Sequence, residues 1–345
     1  MVRVMSRLLI VAFLATLSLG PDALAGRGDK SGTSAAPELL IPVGGRDIAL
    51  GGSSVATTTG IEAIYWNPAG LSRSNFGAEA MFSHMNYIAD IGVEYVAVGT
   101  SFEGFGSIGL SLKTLSFGEF EITTEDNTEG TGQMFSPTFV TVGLTYARSL
   151  TDRISVGLTT NLVSERIDRV SATGVAFSFG VQYAGFANTP GLNIGVAVKN
   201  IGPGMQFNGP GLLRQALASD NLRPETVYLI EAQKDELPST IELGVSYRHN
   251  IDDENSLTTS GLFMNSNLSD DEYKLGLEYN FLNTLFVRGG YNLSQESREN
   301  SYIFGATAGA GVHYSMGGLD LTFDYAYRSV KYLEANHVFS LKFGF

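Results

Sequence analysis

The chain has 345 residues, a formal net charge of −13 and no cysteine. The negative charge argues against a nucleic-acid partner, because no basic stripe is available to neutralise phosphates. A secreted chain without cysteine must also be stabilised by something other than disulfides. Charged residues make up 17% of the chain, below the roughly 25% usual in soluble domains. Few charges with many glycines and aromatic residues are typical of strands that meet lipid at every second position.

Residues 1–25 are predicted to be a secretory signal peptide. Arg3 and Arg7 precede a short apolar run over residues 8–19, and Ala23-Leu24-Ala25 supplies the small residues of a cleavage site. The apolar run is shorter than the about 20 residues that a transmembrane helix requires. We therefore expect cleavage after Ala25.

Residues 26–77 do not alternate between apolar and polar positions. Residues 26–38 are polar and rich in Gly and Ser, which predicts a flexible periplasmic lead. Residues 42–53 contain glycines suited to tight turns but lack the Lys-Ser/Thr ending of a phosphate loop. The run Trp66-Asn67-Pro68 predicts a turn with Asn67 as the cap and Pro68 at the first helical position.

From residue 78 onward the sequence breaks into short segments with a period of two. In residues 273–281, every second residue is apolar and most of the residues between are polar. Such alternation predicts strands, because successive side chains of a strand point to opposite faces. We predict an all-β fold over residues 78–345, a transmembrane antiparallel barrel of about fourteen strands. The predicted strands lie near residues 78–88, 91–103, 106–117, 136–150, 154–170, 172–186, 190–201, 238–250, 255–268, 270–281, 284–294, 301–316, 318–330 and 334–345.

The lengths of the connections predict the orientation of the barrel. Connections after even-numbered strands are brief, whereas the two longest, near residues 118–135 and 202–237, follow odd-numbered strands. Short periplasmic turns alternating with longer external loops are a feature of outer-membrane barrels. Both ends of the barrel segment are then periplasmic.

Each even-numbered strand ends on an aromatic residue. These ends would meet the periplasmic membrane interface, where aromatic rings are enriched and form a girdle. A soluble all-β protein, the alternative interpretation of the alternation, has no reason to place aromatic residues at one end of every second strand. The predicted girdle is Phe102, Tyr146, Tyr183, Tyr247, Tyr279, Tyr314 and Phe345.

Nine glycines fall on the predicted inward face. Two explanations stay open: backbone curvature of a closing sheet, or space for something inside the barrel. The glycines are Gly109, Gly143, Gly157, Gly180, Gly195, Gly244, Gly276, Gly290 and Gly305.

The last strand resembles the signal by which outer-membrane barrels are recognised for insertion. His337, Phe339, Leu341, Phe343 and Phe345 share one face, and the chain ends on that Phe. The expected partners are therefore outer-membrane lipid and, through this strand, the barrel assembly machinery.

Two N-terminal runs carry a family resemblance: residues 49–53 (ALGGS) and residues 64–71 (IYWNPAGL). With weaker matches at residues 199–204 and 237–247, the chain from about residue 42 to its end resembles the PorV/PorQ family, within the wider FadL-like group of outer-membrane barrels. The resemblance implies a fourteen-stranded barrel with an N-terminal segment in or under it. It also implies a hatch motif in that segment, made of Trp66, Asn67, Pro68, Ala69 and Gly70.

The resemblance implies two different functions. PorV-like members serve type IX secretion, in which they receive cargo proteins by their C-terminal domains and pass them on at the cell surface. Other FadL-like members carry hydrophobic small molecules across the outer membrane through a lateral opening. We expect the first role, with secreted cargo or secretion components as partners, and passive transport as the alternative; a structural barrel without flux is a third. A continuous apolar channel would favour transport, and a blocked pore would favour secretion.

The predicted loop over residues 202–237 contains apolar residues that an open aqueous loop cannot bury. They either fold onto the barrel rim or form a docking surface for a partner protein. Residues 227–230 could be a short extra strand beside them. The predicted docking residues are Met205, Phe207, Leu212, Leu213 and Leu217.

No catalytic or metal site is predicted. His84, His249, His313 and His337 lie on separate predicted strands, whereas a nucleophile–His–carboxylate site requires hydrogen-bond reach between its members. The chain has neither the Cys nor the clustered His of a zinc site. The acidic loop over residues 118–135 lacks the spacing of a calcium loop. We therefore expect a non-enzymatic protein without cofactor or metal.

Overall fold

The computed structural model describes residues 34–124, 126–216, 226–295 and 302–345. The predicted signal peptide, residues 26–33 of the predicted lead and Leu217 lie outside these ranges. Within them, no helix is both long enough and apolar enough to cross a membrane.

Fourteen antiparallel strands form one closed barrel. Each of the predicted strands is present, with ends displaced by only a few residues. The first strand pairs with the last, from Glu79 opposite Gly344 to Asn86 opposite His337, and this pairing closes the ring. The strands are β1 Ala78–Asn86, β2 Gly92–Phe102, β3 Gly106–Ser116, β4 Thr138–Ser149, β5 Ile154–Ile167, β6 Val170–Ala184, β7 Leu192–Ile201, β8 Thr240–Asn250, β9 Ser256–Ser266, β10 Glu272–Phe281, β11 Leu285–Ser294, β12 Phe304–Met316, β13 Leu319–Val330 and β14 Asn336–Gly344.

The barrel is apolar outside and polar inside. In β10, Leu275 and Leu277 are 46% and 47% exposed, whereas the neighbouring Glu278 and Asn280 are buried in the interior. A soluble sandwich has the reverse arrangement, with its apolar face buried. The exposed apolar band therefore faces lipid, as in transmembrane barrels.

The connections differ between the two ends of the barrel. One end, the short-turn end, has turns such as Gly317-Gly318 between β12 and β13. Both glycines have a positive φ, 61° and 91°, as the central residues of a type I′ hairpin turn require. The other end, the long-loop end, carries three additional strand pairs, and the extra strand predicted at residues 227–230 is confirmed. The pairs are Phe120–Glu121 with Met134–Phe135, Met205–Gln206 with Lys234–Asp235, and Leu213–Ala216 with Thr226–Leu229.

Residues 34–77 form a plug inside the barrel. The plug consists of short helices linked by glycine-containing turns, and too few of its residues are in any one helix for the helix to be stable alone. Its stability must therefore come from packing against the barrel. Its helices are the 3₁₀ turns Pro37–Leu40, Ser54–Ala56, Gly60–Glu62 and Pro68–Arg73 and the α-helical turns α1 Gly45–Ala49 and α2 Ala63–Trp66.

The plug reaches every strand of the barrel. Helix α1 packs on β11 to β14, Gly60–Glu62 on β1 and β2, Pro68–Arg73 on β3 to β6, and Ser54–Ala56 on β7 to β9. The remaining strand, β10, approaches the plug at Gly276. The plug is thus held around the full circumference of the lumen.

The inward glycines make space for the plug. At seven of the nine predicted positions, an added Cβ would lie within 2.6 Å of a plug atom. The second explanation from the sequence is therefore confirmed for these seven. Gly143 and Gly305 instead approach side chains of neighbouring strands, Ser111 and Ser329 respectively. The seven are Gly109, Gly157, Gly180, Gly195, Gly244, Gly276 and Gly290.

The described start of the plug corrects the prediction of a periplasmic lead through Glu38. The Ala35 amide donates to the Glu236 carbonyl at 3.0 Å, and Ala35 packs in one apolar cluster with Ala172 and Met205. Residues 34–38 therefore lie inside the barrel at the long-loop end. Ala36 and Leu39 belong to the same cluster, so apolar packing fixes the described start of the plug.

Two adjacent glycines of β11 provide a test of the plug–wall contact. A Cβ at Gly290 would lie 2.5 Å from the Gly51 amide nitrogen, whereas a Cβ at Gly289 has nothing closer than 3.8 Å. We expect Gly290→Ala to destabilise the folded barrel by about 1–3 kcal/mol, because overpacked sites must shift. Gly289→Ala, the matched control, should be close to wild type. Thermal unfolding followed by the gel shift of the heated barrel measures both; equal stability of the two variants would contradict the contact.

Candidate functional site

The hatch motif lies in the half of the plug nearer the short-turn end. The Trp66 indole donates from Nε1 to the Val43 carbonyl at 3.0 Å, and Asn67 is fully buried. The Asn67 side chain accepts from the Ala69 amide at 3.2 Å, with Pro68 at the first position of the following turn. The capped turn predicted from the sequence is therefore present.

Asn67 also joins the plug to the barrel wall. Its amide group donates to the Val55 carbonyl at 2.8 Å and to the Val181 carbonyl of β6 at 3.2 Å. Inward glycines let the motif approach so closely, since a Cβ at Gly157 would lie 2.3 Å from the Pro68 backbone. The Trp-Asn-Pro-Ala-Gly run is thus the part of the plug fitted most closely to β5 and β6.

A buried ionic cluster holds the plug to the opposite side of the wall. Arg46 of the plug lies 3.2 Å from Glu278, which also receives Arg288 at 2.7 Å. The Arg288 guanidinium continues to Asp324 of β13 at 2.5 Å. A second link, 2.7 Å between the Lys342 ammonium and Glu62, joins the plug to β14. Sequence reasoning missed this cluster, although charged residues at inward strand positions were its signal.

The part of the plug nearest the long-loop end contains another buried carboxyl group, that of Glu38. Burial raises the pKa of Glu38 to about 8, and the neighbouring Glu165 carboxyl of β5 adds to the effect. Lys113 of β3 donates to the main-chain carbonyls of Glu38 and Ile41 at 2.6 and 3.2 Å. Lys113 therefore joins this part of the plug to β3 through main-chain carbonyls, beside the buried Glu38 carboxyl.

A cavity of about 370 Å³ lies between the plug and the outer halves of the strands. Its floor includes Trp66 and Ile48, and its wall includes Phe304 and Arg328. The lumen is therefore not packed solid throughout, although the plug below the cavity contacts all the strands.

The structure divides the predicted docking residues into two groups. Met205 is buried, and Phe207 packs against the same cluster of plug and barrel residues. These two residues fold onto the barrel, so their assignment to a partner-facing surface is corrected. Leu212 is half-buried, and Leu213 is exposed.

The hairpin formed by Leu213–Ala216 and Thr226–Leu229, called here the outer hairpin, has exposed apolar side chains on both faces, with the charged Arg214 beside Tyr228 on one of them. Val227, Tyr228, Leu229 and Ile230 are 46–63% exposed. Successive residues of a strand point to opposite faces, so neither face is covered by the barrel. An isolated two-stranded hairpin is marginally stable in water, and an exposed apolar strand edge invites pairing with another chain.

The predicted aromatic girdle lies at the short-turn end, with its side chains pointing away from the lumen. Tyr183 is half-buried against the ring of Phe186, and Tyr146 donates its hydroxyl to the Phe105 carbonyl at 2.7 Å. Their position fits the proposed membrane interface, which stays a prediction. The exposed members are Phe102, Tyr146, Tyr247, Tyr279, Tyr314 and Phe345.

The histidines lie apart from one another, and two of them contact carboxylates. His84 lies 2.6 Å from Glu94 of β2. His313 contacts the Thr322 hydroxyl through Nδ1 and the Asp320 carboxylate through Nε2, both at 3.0 Å. The three residues lie on the paired strands β12 and β13, and β13 is paired on both sides, so its main-chain amides are engaged in the sheet and not free to form an oxyanion hole.

Metal binding has no visible basis in the part of the chain that the structure describes. No group of three or more His, Asp or Glu side chains there could hold a metal ion.

The closed barrel, its apolar exterior, its polar lumen and its internal plug together define the class of protein. The chain is an integral protein of the outer membrane of a Gram-negative-type bacterium.

Solved channels with this fold are similar in structure but distant in sequence. The CymD monoaromatic hydrocarbon channel has 14% identity and a TM-score of 0.59, covering 89% of this chain and 98% of its own. The toluene transporter TbuX of Ralstonia pickettii has 15% identity and a TM-score of 0.56, covering 88% and 98%. The toluene transporter TodX of Pseudomonas putida has 12% identity and a TM-score of 0.56, covering 86% of this chain and 96% of its own.

The chain belongs to the PorV family. The family model described as type IX secretion system protein PorV matches residues 25–269, which is most of the chain and includes the plug and nine strands. No curated protein matches the chain in sequence.

The ionic cluster can be tested at Arg288. Arg288→Met would leave the buried Glu278 and Asp324 without this guanidinium, and breaking a buried ion pair typically costs about 3–5 kcal/mol. We expect a correspondingly lower free energy of unfolding. Arg248→Met, at an exposed position of the short-turn end, is the matched control and should stay near wild type. A stable Arg288→Met barrel would show that the cluster does not hold the structure together.

The raised pKa of Glu38 predicts a pH dependence. The pKa of Glu38 in the folded state, about 8, lies above its ordinary value of 4.5. The free energy of unfolding is therefore highest at acidic pH, and it falls as the pH rises through about 8. Wild type should therefore lose thermal stability between about pH 5 and about pH 8, and Glu38→Gln should lose less. Glu121→Gln, at an exposed carboxyl, should keep the wild-type slope. Identical slopes for Glu38→Gln and wild type would rule out this assignment.

Proposed function

We propose that the protein is a non-catalytic, partner-binding component of type IX protein secretion, which holds cargo or another secretion component at the cell surface. Membership of the PorV family supports the pathway. The observation that carries the proposal is the outer hairpin, which exposes apolar side chains on both faces at the long-loop end. Such a surface is typical of a protein–protein contact.

The lumen supports binding over transport. Transport of hydrophobic solutes, the alternative role, needs a continuous apolar path through the barrel. The plug instead contacts strands around the whole circumference, and the ionic cluster of Arg46, Glu278, Arg288 and Asp324 lies between plug and wall. Buried ion pairs make an unfavourable path for an apolar solute, because opening them would leave charges unpaired.

The chemistry of the outer hairpin indicates how a partner would bind. Leu213 pairs with Leu229 across the hairpin, so both lie on one face, while Tyr228 and Ile230 lie on the other. The hairpin forms a two-stranded sheet of its own, which leaves the outer edge of each strand without a strand partner in the described part of the chain. A partner strand can add to such an edge through main-chain hydrogen bonds, with alternate side chains giving specificity.

The experiment removes the apolar surface without removing the hairpin. The double variant Val227→Ser, Leu229→Ser is expressed in cells that lack the native protein, and secreted proteins sharing a C-terminal domain are measured in the medium. We expect release to fall at least tenfold, because apolar contact area at the centre of an interface carries most of its binding energy.

A second hairpin at the same end provides the matched control. Phe120 and Met134 are 46% and 53% exposed on the pair Phe120–Glu121 with Met134–Phe135. Phe120→Ser, Met134→Ser should secrete normally. Both proteins must first show wild-type amounts of heat-modifiable barrel in the outer membrane. Normal secretion by the Val227→Ser, Leu229→Ser barrel, or equal loss in both variants, would reject the outer hairpin as the docking element.

A further inference from the structure

The luminal cavity contains a buried cation without a counter-ion. Arg328 of β13 lines the cavity and is only 6% exposed. Its Nε and Nη2 atoms donate to the Asn336 side-chain carbonyl at 2.9 and 2.7 Å. This acceptor is neutral, and no carboxylate lies within ion-pair distance of the guanidinium in the part of the chain that is described.

The other cations of the cavity are paired. The Lys199 ammonium lies 3.0 Å from Glu242, and the Lys274 ammonium lies 3.1 Å from Glu272. The charges of these two pairs cancel, and the cavity retains the single positive charge of Arg328. A buried unpaired charge is costly, so an anionic group bound here would offset that cost.

Aromatic rings surround the same guanidinium. The Arg328 Cζ atom lies 4.0 Å from the centre of the Phe304 ring and 5.8 Å from that of Tyr87. Tyr65, Trp66 and Tyr302 line the cavity as well, and five aromatic rings around one space favour a flat apolar body in a ligand.

A second buried polar residue of the cavity wall has an unpartnered atom. Asn292 lines the cavity, is 7% exposed, and its Oδ1 atom accepts no hydrogen bond from any described residue. Buried polar groups are normally hydrogen-bonded. The protein therefore leaves the charge of the Arg328 guanidinium without a counter-ion and this amide oxygen without a hydrogen-bond donor among the described residues.

We propose that this cavity binds a compact aromatic carboxylate, with its anionic group on Arg328 and its ring among the aromatic side chains. The volume of about 370 Å³ lies near the lower end of the range of about 300–1,000 Å³ for small-molecule sites, which favours a compact ligand over a long acyl chain. A guanidinium is the side chain best suited to a carboxylate. This site is independent of the outer hairpin and does not rest on the proposed role in secretion.

The protein contains its own reporter of binding. Trp66 is the only tryptophan of the chain and lines the cavity, so its fluorescence responds to a ligand beside it. The full-length mature barrel in detergent is titrated with 3-phenylpropanoate and with the uncharged 3-phenylpropanamide. We expect a saturable change with the acid and at least tenfold weaker binding of the amide. Equal binding of the two would overturn the proposal, as would a Trp66 signal that neither compound changes.

Variants locate the anion. Arg328→Gln should weaken binding of the acid by about 10- to 100-fold, as expected when a hydrogen bond to a charged group is lost, and should leave binding of the amide unchanged. Lys331→Gln, at an exposed position of the same end, should bind the acid as wild type does. Unchanged affinity for the acid in a folded Arg328→Gln barrel would overturn the proposal. If that variant does not fold, the comparison of acid and amide on wild type decides.

Palmitate tests the predicted size of the ligand. Its carboxylate is the same, but its acyl chain is longer than a cavity of this volume favours. Binding weaker than that of 3-phenylpropanoate supports a compact ligand, and tighter binding would overturn that assignment.

Discussion

The constraint on which the structure depends is the absence of water in the membrane core. Every main-chain amide and carbonyl there must be bonded within the protein, and a closed ring of strands satisfies this without a free edge. The pairing of β1 with β14 is the last link of that ring. Because the outward side chains face lipid, the polar residues at the alternate positions must point into the lumen. The lumen therefore contains charged groups such as Glu278, Arg288 and Asp324. The plug covers these groups and balances their charge.

The plug shows how a segment of weak intrinsic structure becomes fixed. Its helices are only a few residues long, so their order comes from the surrounding wall. On one side, Asn67 reaches main-chain carbonyls where glycines let the backbones approach. On another, Arg46 enters the ionic cluster. Close backbone packing thus holds one part of the circumference and buried charge another, and apolar clusters around Ile61 and Val55 add further contacts between plug and wall.

Much of the fold could be predicted from the sequence, because the period of two is a local signal that each strand carries by itself. The residues of β10, for example, assign their own faces. The turn at Asn67-Pro68 was equally local. The position of Ala35 at the long-loop end could not be predicted, since the direction in which a plug runs depends on contacts with Glu236 and Met205, far away in sequence. For the same reason, exposed and buried members of the apolar loop, Leu213 and Met205, look alike in the sequence.

The enclosure of the plug has a consequence for the order of assembly. A segment that touches all fourteen strands cannot complete its contacts until the last strand arrives, although it precedes every strand in the sequence. The partners that close the ring, such as Glu79 and Gly344, are separated by most of the sequence, and contacts of this kind form slowly. The sheet must therefore close around a plug whose own contacts are still incomplete. Slow maturation in the membrane, with a long-lived open intermediate, is the kinetic signature that this arrangement should leave.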